Sequence, residues 1–210
     1  VVLSRVAARG RTARKAQDLE LGTISVAVRG EFECGDAWSI ACEAGRHALL
    51  VVDGLGHGTL AAAAATAAVA AFGERPFAEP EDAMRELHRQ LNGTRGAAGA
   101  CAILDPEKSQ LRYAGVGNIA GVIAVAGAQR GLLSHNGTLG AVMRRVHQLD
   151  CPWSAGSVLV MHSDGLSSRW SLAAYEDLAA HHPAVIAGVI YRDVSRQRDD
   201  ATVLVASRRQ

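Results

Sequence analysis

Residues 36–58, DAWSIACEAGRHALLVVDGLGHG, decide the fold class of this chain. Two strand-like segments, residues 36–43 and 47–53, are separated only by a turn at Gly45. So short a connection can join only antiparallel strands, because parallel neighbours need a crossover of a dozen or more residues. The second segment ends at Asp53, and a glycine-rich turn then leads into an alanine-rich run. The stretch therefore predicts a pair of antiparallel strands, with a carboxylate at the turn between the second strand and a helix.

Strand-like and helix-like segments continue on both sides of this stretch. Alternating or apolar runs predict further strands at residues 22–29, 98–104, 111–115, 119–125, 131–133, 157–162 and 201–206. Helices are predicted at residues 59–72 and 80–91, and one or two more within residues 171–192, interrupted at Pro183. This order of elements favours an α+β fold, with stacked antiparallel sheets and helices outside them.

The first twenty residues differ in composition from the rest of the chain. Basic residues cluster there, at Arg5, Arg9, Arg11, Arg14 and Lys15. Because the segment has little β character, residues 1–20 are predicted to form a linker or short helix. Residues 21–210 are long enough for one good-sized domain, and we expect a single domain there.

The composition of the chain indicates which classes of partner and which cellular compartment to expect. The net charge of +1 gives no strong field to attract nucleic acid or an anionic membrane surface. No run of about 18 apolar residues is present, so no membrane partner is expected. The four cysteines lack C-x-x-C spacing, which argues against a zinc knuckle or a disulfide framework. A reducing, cytoplasmic location follows as the simplest interpretation.

Four aspartates stand at the ends of strand-like segments, namely Asp36, Asp53, Asp164 and Asp199. Carboxylates that a fold gathers without basic partners repel one another, and a cation would hold them together. Sites built only from oxygen ligands select hard ions, Mg²⁺ or Mn²⁺, rather than zinc. Metal-assisted hydrolysis at a phosphate is therefore the leading hypothesis.

The turn after Asp53 has two other interpretations. It is compatible with a plain Asp-Gly turn that only starts the alanine-rich helix. The spacing Gly54-x-Gly56-x-Gly58 is also compatible with a dinucleotide loop, but that motif expects a βαβ unit, and two antiparallel strands come first here. Asp53 would also face a pyrophosphate of the same charge. The dinucleotide hypothesis is therefore disfavoured.

Taken in order, the motifs around these aspartates resemble a known family. They are Gly35-Asp36-x-Trp38, Val52-Asp53-Gly54-Leu55-Gly56-His57-Gly58, Gly115-Val116-Gly117-Asn118, Asn136-Gly137-x-x-Gly140, Ser163-Asp164-Gly165 and Asp199-Asp200-Ala201-Thr202. As an ordered set across about residues 20–207, they resemble the metal-dependent Ser/Thr phosphatases of type 2C, and more narrowly the bacterial SpoIIE/RsbX branch. The resemblance implies an α-β-β-α sandwich of two antiparallel sheets flanked by helices, with a dinuclear metal site at one end.

The resemblance also implies roles for individual residues. Asp53 would bridge two Mn²⁺ or Mg²⁺ ions. Asp36 and the carbonyl of Gly54 would complete the protein ligands of one ion, while Asp164 and Asp199 would hold the other. A water activated by the ions would attack the phosphorus, so Asp36 and Asp53 are the expected catalytic residues, through the water that they place.

Three further positions carry weaker expectations. Larger members of the family have a Glu-Asp pair where this chain has Gly35 and Asp36, so one acidic contact is missing here. His57 is displaced from the Asp-Gly-His arrangement of the family, and it is either a general acid or a residue that shapes the loop. Asp200 is expected to support the site from behind rather than to bind metal directly.

The function implied by the resemblance is removal of phosphate from phosphoserine or phosphothreonine on a bacterial regulatory protein. In this branch the usual substrates are phosphorylated STAS-domain anti-anti-sigma factors or stressosome components. Two alternatives stay open. One is a non-catalytic binding module with the same fold, although all the ligand aspartates are present. The other is a metal-dependent hydrolase of a small phosphate ester.

Overall fold

The computed structural model describes residues 2–4 and 19–209, and strands dominate that part of the chain. In chain order the strands are β1 (Val2–Ser4), β2 (Leu19–Val26), β3 (Asp36–Glu43), β4 (Arg46–Gly54), β5 (Ala97–Asp105), β6 (Gln110–Val116), β7 (Ala120–Val125), β8 (Ala128–Leu132), β9 (Gly137–Thr138), β10 (Val142–Met143), β11 (Leu149–Pro152), β12 (Val158–His162) and β13 (Ala201–Arg208). The helices are α1 (Thr59–Glu74), α2 (Pro80–Gln90) and α3 (Pro183–Val194), with short 3₁₀ turns at Leu172–Ala174 and Leu178–Ala180.

Two antiparallel sheets carry the fold. One has six strands in the order β1-β2-β13-β12-β7-β8, and the other has five in the order β11-β6-β5-β4-β3. The strands β9 and β10 form a separate two-stranded ribbon. Every strand pairing within the two large sheets is antiparallel. The α+β class and the antiparallel sheets predicted from the sequence are therefore confirmed.

Three apolar layers hold the sheets and helices together. The innermost layer lies between the two sheets and includes Leu49, Tyr113 and Trp153. A second layer packs α1 and α2 against the five-stranded sheet, and a third packs α3 and the 3₁₀ turns against the six-stranded sheet. The result is the α-β-β-α sandwich, with helices on both outer faces. None of the helices described has both the length and the apolarity that a membrane span requires.

The hairpin of β3 and β4 sets the register that matters for the site. Its two-residue loop, Ala44 and Gly45, has φ values of 49° and 78°. Positive φ at both positions is typical of the type I′ turn that suits tightly joined antiparallel strands. The register then places Asp36 directly opposite Asp53. Since cross-strand partners have side chains on one face, the two carboxylates point to the same side of the sheet.

Some sequence-based predictions need correction. Of residues 1–20, predicted as a linker or short helix, residues 1 and 5–18 lie outside the described part, and residues 2–4 and 19–20 are strand. Residues 2–4 pair with β2, and β2 starts at Leu19 rather than at residue 22, because the six-stranded sheet supplies backbone partners. Pro183 begins α3 instead of interrupting it, since proline suits the first helical position.

Candidate metal centre

The predicted site residues lie at one end of the sandwich, where strands of both sheets terminate. Asp36 begins β3, and Asp53 is the penultimate residue of β4 in the five-stranded sheet. Asp164 follows the end of β12, and Asp199 precedes the start of β13 in the six-stranded sheet. Because β12 and β13 are antiparallel neighbours, the end of one strand lies beside the start of the other. The fold therefore brings four segments that are distant in the sequence to the same end of the sandwich.

Asp36 is a buried carboxylate that lacks one hydrogen-bond partner. It is only 5% exposed, and its Oδ2 accepts a 2.6 Å hydrogen bond from Ser163 Oγ. Its Oδ1 is buried and has no hydrogen-bond partner among the described residues. Burial raises the pKa of Asp36 to about 7, and the charges of Asp200 and Asp199 act in the same direction. A buried acceptor without a partner is costly, and a cation would satisfy it.

Asp53 lies among several other carboxylates. Burial first, and then the carboxylates of Asp36, Asp164 and Asp199 in that order, raise the pKa of Asp53 to about 8. Each of these effects opposes ionisation, and none comes from a basic neighbour. A carboxylate whose pKa rises through neighbouring carboxylates marks a place with uncompensated negative charge. Such a place suits a bound cation, and it is the position where the family resemblance puts the bridging ligand.

Asp164 and Asp199 complete the group on the other sheet, and each has one oxygen engaged. Asp164 Oδ2 accepts a 2.6 Å hydrogen bond from Asn118 Nδ2, and Asp199 Oδ1 accepts one of 2.9 Å from the Asp200 backbone N–H. Burial raises the pKa of Asp199, and the charge of Asp164 adds to the rise. Each carboxylate therefore keeps a second oxygen that makes none of these contacts.

Asp200 sits differently from the other four aspartates. It is 2% exposed, and its Oδ1 and Oδ2 accept backbone N–H groups of Val28 and Gly35, both at 2.8 Å. The two bonds bind both ends of the loop that leads into Asp36, which we call the 28–35 loop. With both oxygens committed to backbone, Asp200 suits the supporting role expected from the sequence better than it suits ligation.

Two glycines permit close backbone contacts around the centre. A Cβ on Gly54 would lie 2.2 Å from the carbonyl oxygen of Ala61 in the first turns of α1, so the helix can approach the end of β4 only with glycine there. A Cβ on Gly165 would lie 1.9 Å from the carbonyl oxygen of Asp200. The glycines thus allow α1 and the start of β13 to close around the carboxylates.

His57 lies at the mouth of the centre rather than within it. Its side chain is 60% exposed, and Nδ1 is 2.7 Å from Oε1 of Glu31. That contact joins the turn after β4 to the 28–35 loop and fixes the orientation of the ring. The position is compatible with either role expected for His57, loop shaping or proton donation.

The donor set fits a hard divalent ion. Within residues 2–4 and 19–209, no three His, Cys, Asp or Glu side chains converge closely enough to enclose one ion by themselves. Mg²⁺ and similar ions are typically bound through one or two carboxylates and keep several waters, so a site of this kind does not need three converging protein ligands. The partnerless Oδ1 of Asp36 and the uncompensated charge at Asp53 supply the reason for a cation. Zinc would instead prefer a tetrahedral set rich in nitrogen or sulfur.

Sequence reasoning missed three residues that hold this group in place. Ser163 bonds Asp36, Asn118 bonds Asp164, and Glu31 bonds His57. Ser163 also accepts a 3.0 Å hydrogen bond from the Thr202 backbone N–H. The only signal in the sequence was that Ser163 and Asn118 belong to the motifs quoted above, with no partner evident.

The fold and the site together define a class. An α-β-β-α sandwich with a carboxylate centre where both sheets end is the architecture of the PP2C-type, metal-dependent Ser/Thr protein phosphatases. The family model of Stage II sporulation protein E (SpoIIE) matches residues 43–209. The chain belongs to the SpoIIE family.

Solved structures with the same fold agree with this assignment. A structure described under the bacterial stressosome, as a modular system adapted to control secondary messenger signalling, is 31% identical with a TM-score of 0.84, and the match covers 90% of this chain and 100% of that one. RsbX in complex with magnesium is 18% identical with a TM-score of 0.80, and 98% of each chain is covered. The catalytic domain of the phosphatase PstP with two manganese ions is 16% identical with a TM-score of 0.71, over 91% of this chain and 99% of that one. None of the curated proteins matches the chain.

Proposed function

We propose that this chain hydrolyses phosphoserine or phosphothreonine on a bacterial regulatory protein, with two Mn²⁺ or Mg²⁺ ions. The single observation that carries the proposal is the pair Asp36 and Asp53. They are cross-strand partners on one face, and the pKa of each is raised by burial and by neighbouring carboxylates. A fold that confines like charges in this way, and leaves Oδ1 of Asp36 without a partner, favours a cation-binding centre.

The groups that would hold the ions are the carboxylates of Asp53, Asp36, Asp164 and Asp199 and the carbonyl of Gly54, with Asp53 as the proposed central ligand. When bound, such ions lower the pKa of a coordinated water and offset the charge of phosphoryl oxygens. All four carboxylates lie at the end of the sandwich where both sheets terminate, and Asp164 and Asp199 each keep one oxygen outside the contacts described.

The surrounding residues of the chain supply positioning. Ser163 holds one oxygen of Asp36, so the other oxygen keeps a fixed direction. Asp200 holds the 28–35 loop at both ends and thereby fixes the backbone that begins β3. His57, oriented by Glu31 at the rim, is the side chain that we propose as proton donor to the leaving oxygen.

The class of substrate follows from family and relatives. The 31% identical relative was solved in the context of the bacterial stressosome, and RsbX shares the fold along nearly the whole chain. We propose a phosphorylated STAS-domain protein of such a regulatory system, an anti-anti-sigma factor or stressosome component, as the partner. All four cysteines are free thiols, which supports action in a reducing compartment, the cytoplasm.

The first test is turnover of para-nitrophenyl phosphate with and without Mn²⁺. The wild type should require Mn²⁺, lose activity in EDTA and regain it on Mn²⁺ addition. Asp53→Asn should lose essentially all activity while keeping the native circular dichroism spectrum, because it removes only a charge. Asp105→Asn is the control for loss of a buried carboxylate charge: Asp105 is buried, Asp53 is half-buried, and Asp105 accepts the Lys108 backbone N–H in a turn at the far end of β5.

Each outcome separates the hypotheses. Turnover that survives thorough chelation, or that Asp53→Asn retains, would contradict the metal centre. Absence of turnover in the wild type would favour the non-catalytic binding module. Equal rates on free nucleotides and on a phosphorylated STAS protein would favour the small-ester hydrolase over the protein phosphatase.

A further inference from the structure

Several exposed apolar side chains lie in the two segments that the contact between Glu31 and His57 joins beside the metal centre. Among the described residues, seven large hydrophobic side chains are exposed, and three of them belong to the two segments that frame the centre. Phe32 is fully exposed at 103%, Leu60 is 63% exposed and Leu55 is 45% exposed. Leu55 lies in the glycine-rich turn after β4, Leu60 lies in the first turn of α1, and Phe32 is in the 28–35 loop. Single exposed apolar residues are ordinary, but three around one catalytic mouth are a candidate contact surface.

The loop that carries Phe32 is firmly braced. Asp200 accepts the backbone N–H groups at both ends of the loop, and Glu31, next to Phe32, pairs with His57. The Glu31 backbone N–H also donates to the Val28 carbonyl at 3.1 Å. A phenyl ring held in water by so many contacts gains nothing from the fold itself. Its burial by a partner would release most of its apolar area from water.

A guanidinium stands beside the same surface. Arg95 lies over the backbone of Gly56, with Nη1 3.2 Å from the position that a Cβ on Gly56 would occupy. Leu55 is tied to the same segment, because its backbone N–H donates to the Gly96 carbonyl at 3.0 Å. No ion pair involves Arg95 within the described part of the chain. A cation without a partner, next to apolar side chains and a carboxylate centre, suits a phosphate or an acidic group that arrives from outside.

We propose that Phe32, Leu55, Leu60 and Arg95 form a docking rim for the substrate protein, and that it selects phosphorylated residues flanked by apolar side chains. The inference rests on the proposed phosphatase function. The occupant is the substrate because the rim is continuous with the place where phosphate must arrive, and because Arg95 adds a charge complementary to phosphate. A self-complementary contact between two copies of this chain would instead bring two Arg95 side chains to the same interface.

Two fluorescent synthetic peptides test the rim. One has phosphoserine flanked by leucine on each side, and the other has the same phosphoserine flanked by serine. For the wild type, we expect kcat/KM on the leucine-flanked peptide to be at least about tenfold higher than on the serine-flanked peptide. One well-buried apolar contact supports an effect of this size. Phe32→Ser and Leu60→Ser should each reduce this ratio about threefold or more. Arg95→Gln should lower kcat/KM for both peptides by the same factor, because the proposed contact of Arg95 is to the phosphate that both peptides carry.

The control for loss of an exposed apolar side chain is Val185→Ser. Val185 is 47% exposed on α3, in the helical layer of the six-stranded sheet. Val185→Ser should leave the ratio between the two peptides unchanged. A ratio near one in the wild type, or a Val185→Ser effect as large as that of Phe32→Ser, would overturn the rim. Light scattering that shows a dimer in the wild type and a monomer in Phe32→Ser would assign the surface to self-association and overturn it as well.

Binding and turnover separate this inference from the proposed function. Peptide affinities are measured by fluorescence anisotropy in the Asp53→Asn background, where hydrolysis is not expected. If the wild type hydrolyses neither peptide nor nitrophenyl phosphate, but the leucine-flanked peptide binds better and Phe32→Ser loses that preference, the phosphatase proposal fails and the rim stands. If hydrolysis is Mn²⁺-dependent but the two peptides bind and react equally, the phosphatase stands and the rim fails.

Discussion

At the scale of single residues, the site consists of buried carboxylates and of the side chains that hold them in position. Asp36 and Asp53 face each other at the end of a hairpin, and burial makes both hard to ionise. The Ser163 hydroxyl donates to Asp36 and accepts from the Thr202 backbone N–H. Ser163 therefore links the backbone of β13 to the Asp36 carboxylate, so the position of β13 affects the position of this proposed ligand.

Ser163→Ala should therefore weaken both the fold and the centre. The change leaves the Thr202 N–H and an oxygen of Asp36 without a buried partner, which costs about 1–2 kcal/mol of unfolding free energy. Loss of such an outer contact typically lowers metal affinity by about tenfold or more, so the Mn²⁺ concentration for half-maximal rate should rise by that factor. Urea unfolding and a Mn²⁺ titration of nitrophenyl phosphate turnover measure the two effects.

The matched control for Ser163→Ala is Ser167→Ala. Ser167 lies four residues later, and its hydroxyl accepts only the exposed Arg169 backbone N–H at 3.2 Å. It should change neither the stability nor the Mn²⁺ requirement appreciably. An unchanged Mn²⁺ requirement in Ser163→Ala would show that Asp36 does not depend on this hydroxyl.

At the scale of elements, one side chain joins the 28–35 loop to the start of the last strand of the fold. Asp200 precedes β13 and bonds the 28–35 loop, which connects β2 to β3 and so passes from one sheet to the other. The loop leads into Asp36 and carries Glu31, the partner of His57. Its order therefore affects the metal centre and its rim together.

Asp200→Asn should loosen this loop. An amide keeps one acceptor oxygen, but its NH₂ group would face the backbone N–H of either Val28 or Gly35, so one charge-assisted bond becomes a repulsive contact. We expect a loss of about 1–3 kcal/mol in unfolding free energy, faster amide exchange across residues 28–35, and a fall in turnover. Asp105→Asn should lower stability alone, because Asp105 serves a turn that is remote from the centre. Protected amides in residues 28–35 of Asp200→Asn would refute the brace.

The elements that the sequence predicted are those with local signals. The hairpin of β3 and β4 follows from a two-residue turn, and α1 follows from an unbroken alanine-rich run. β11 was missed because Leu149–Pro152 is a short edge strand that contains proline, and it forms only by pairing with β6. Edge strands of this kind carry little periodicity of their own.

Within the site, the sequence predicted the residues that belong to recognisable motifs but not the contacts between them. The four aspartates could be named because each stands at the start or the end of a strand-like segment. Their partners could not, because the Ser163 and Asp36 bond joins residues 127 positions apart and the Asp200 and Gly35 bond joins residues 165 apart. Contacts at such separations depend on which strands become neighbours, and that is decided by the whole sandwich.

At the scale of the whole molecule, the sandwich gathers negative charge at one end of two sheets, and this has a cost when no cation is bound. The pKa of Asp36 is raised to about 7 and that of Asp53 to about 8, well above the values near 4 expected in the unfolded chain. Between those values the folded chain holds protons that the unfolded chain has released. The free energy of unfolding must therefore fall as pH rises toward 8.

The chelated protein should accordingly lose stability between pH 6.5 and pH 8. His47 and His162, whose pKa values burial lowers, bind fewer protons in the fold than in the unfolded chain near pH 6.5, so they oppose this loss at the lower end of the window and not at its upper end. A loss of about 2 kcal/mol would lower Tm by roughly 4–8 °C in EDTA for a chain of this size. Asp53→Asn should flatten most of the slope, and saturating Mn²⁺ should abolish or reverse it, because the ion replaces the proton on the carboxylates. Thermal scans at several pH values would decide the matter: a Tm in EDTA that is independent of pH, or a slope that Asp53→Asn leaves intact, would mean that the charge at this end of the sandwich is compensated by other groups.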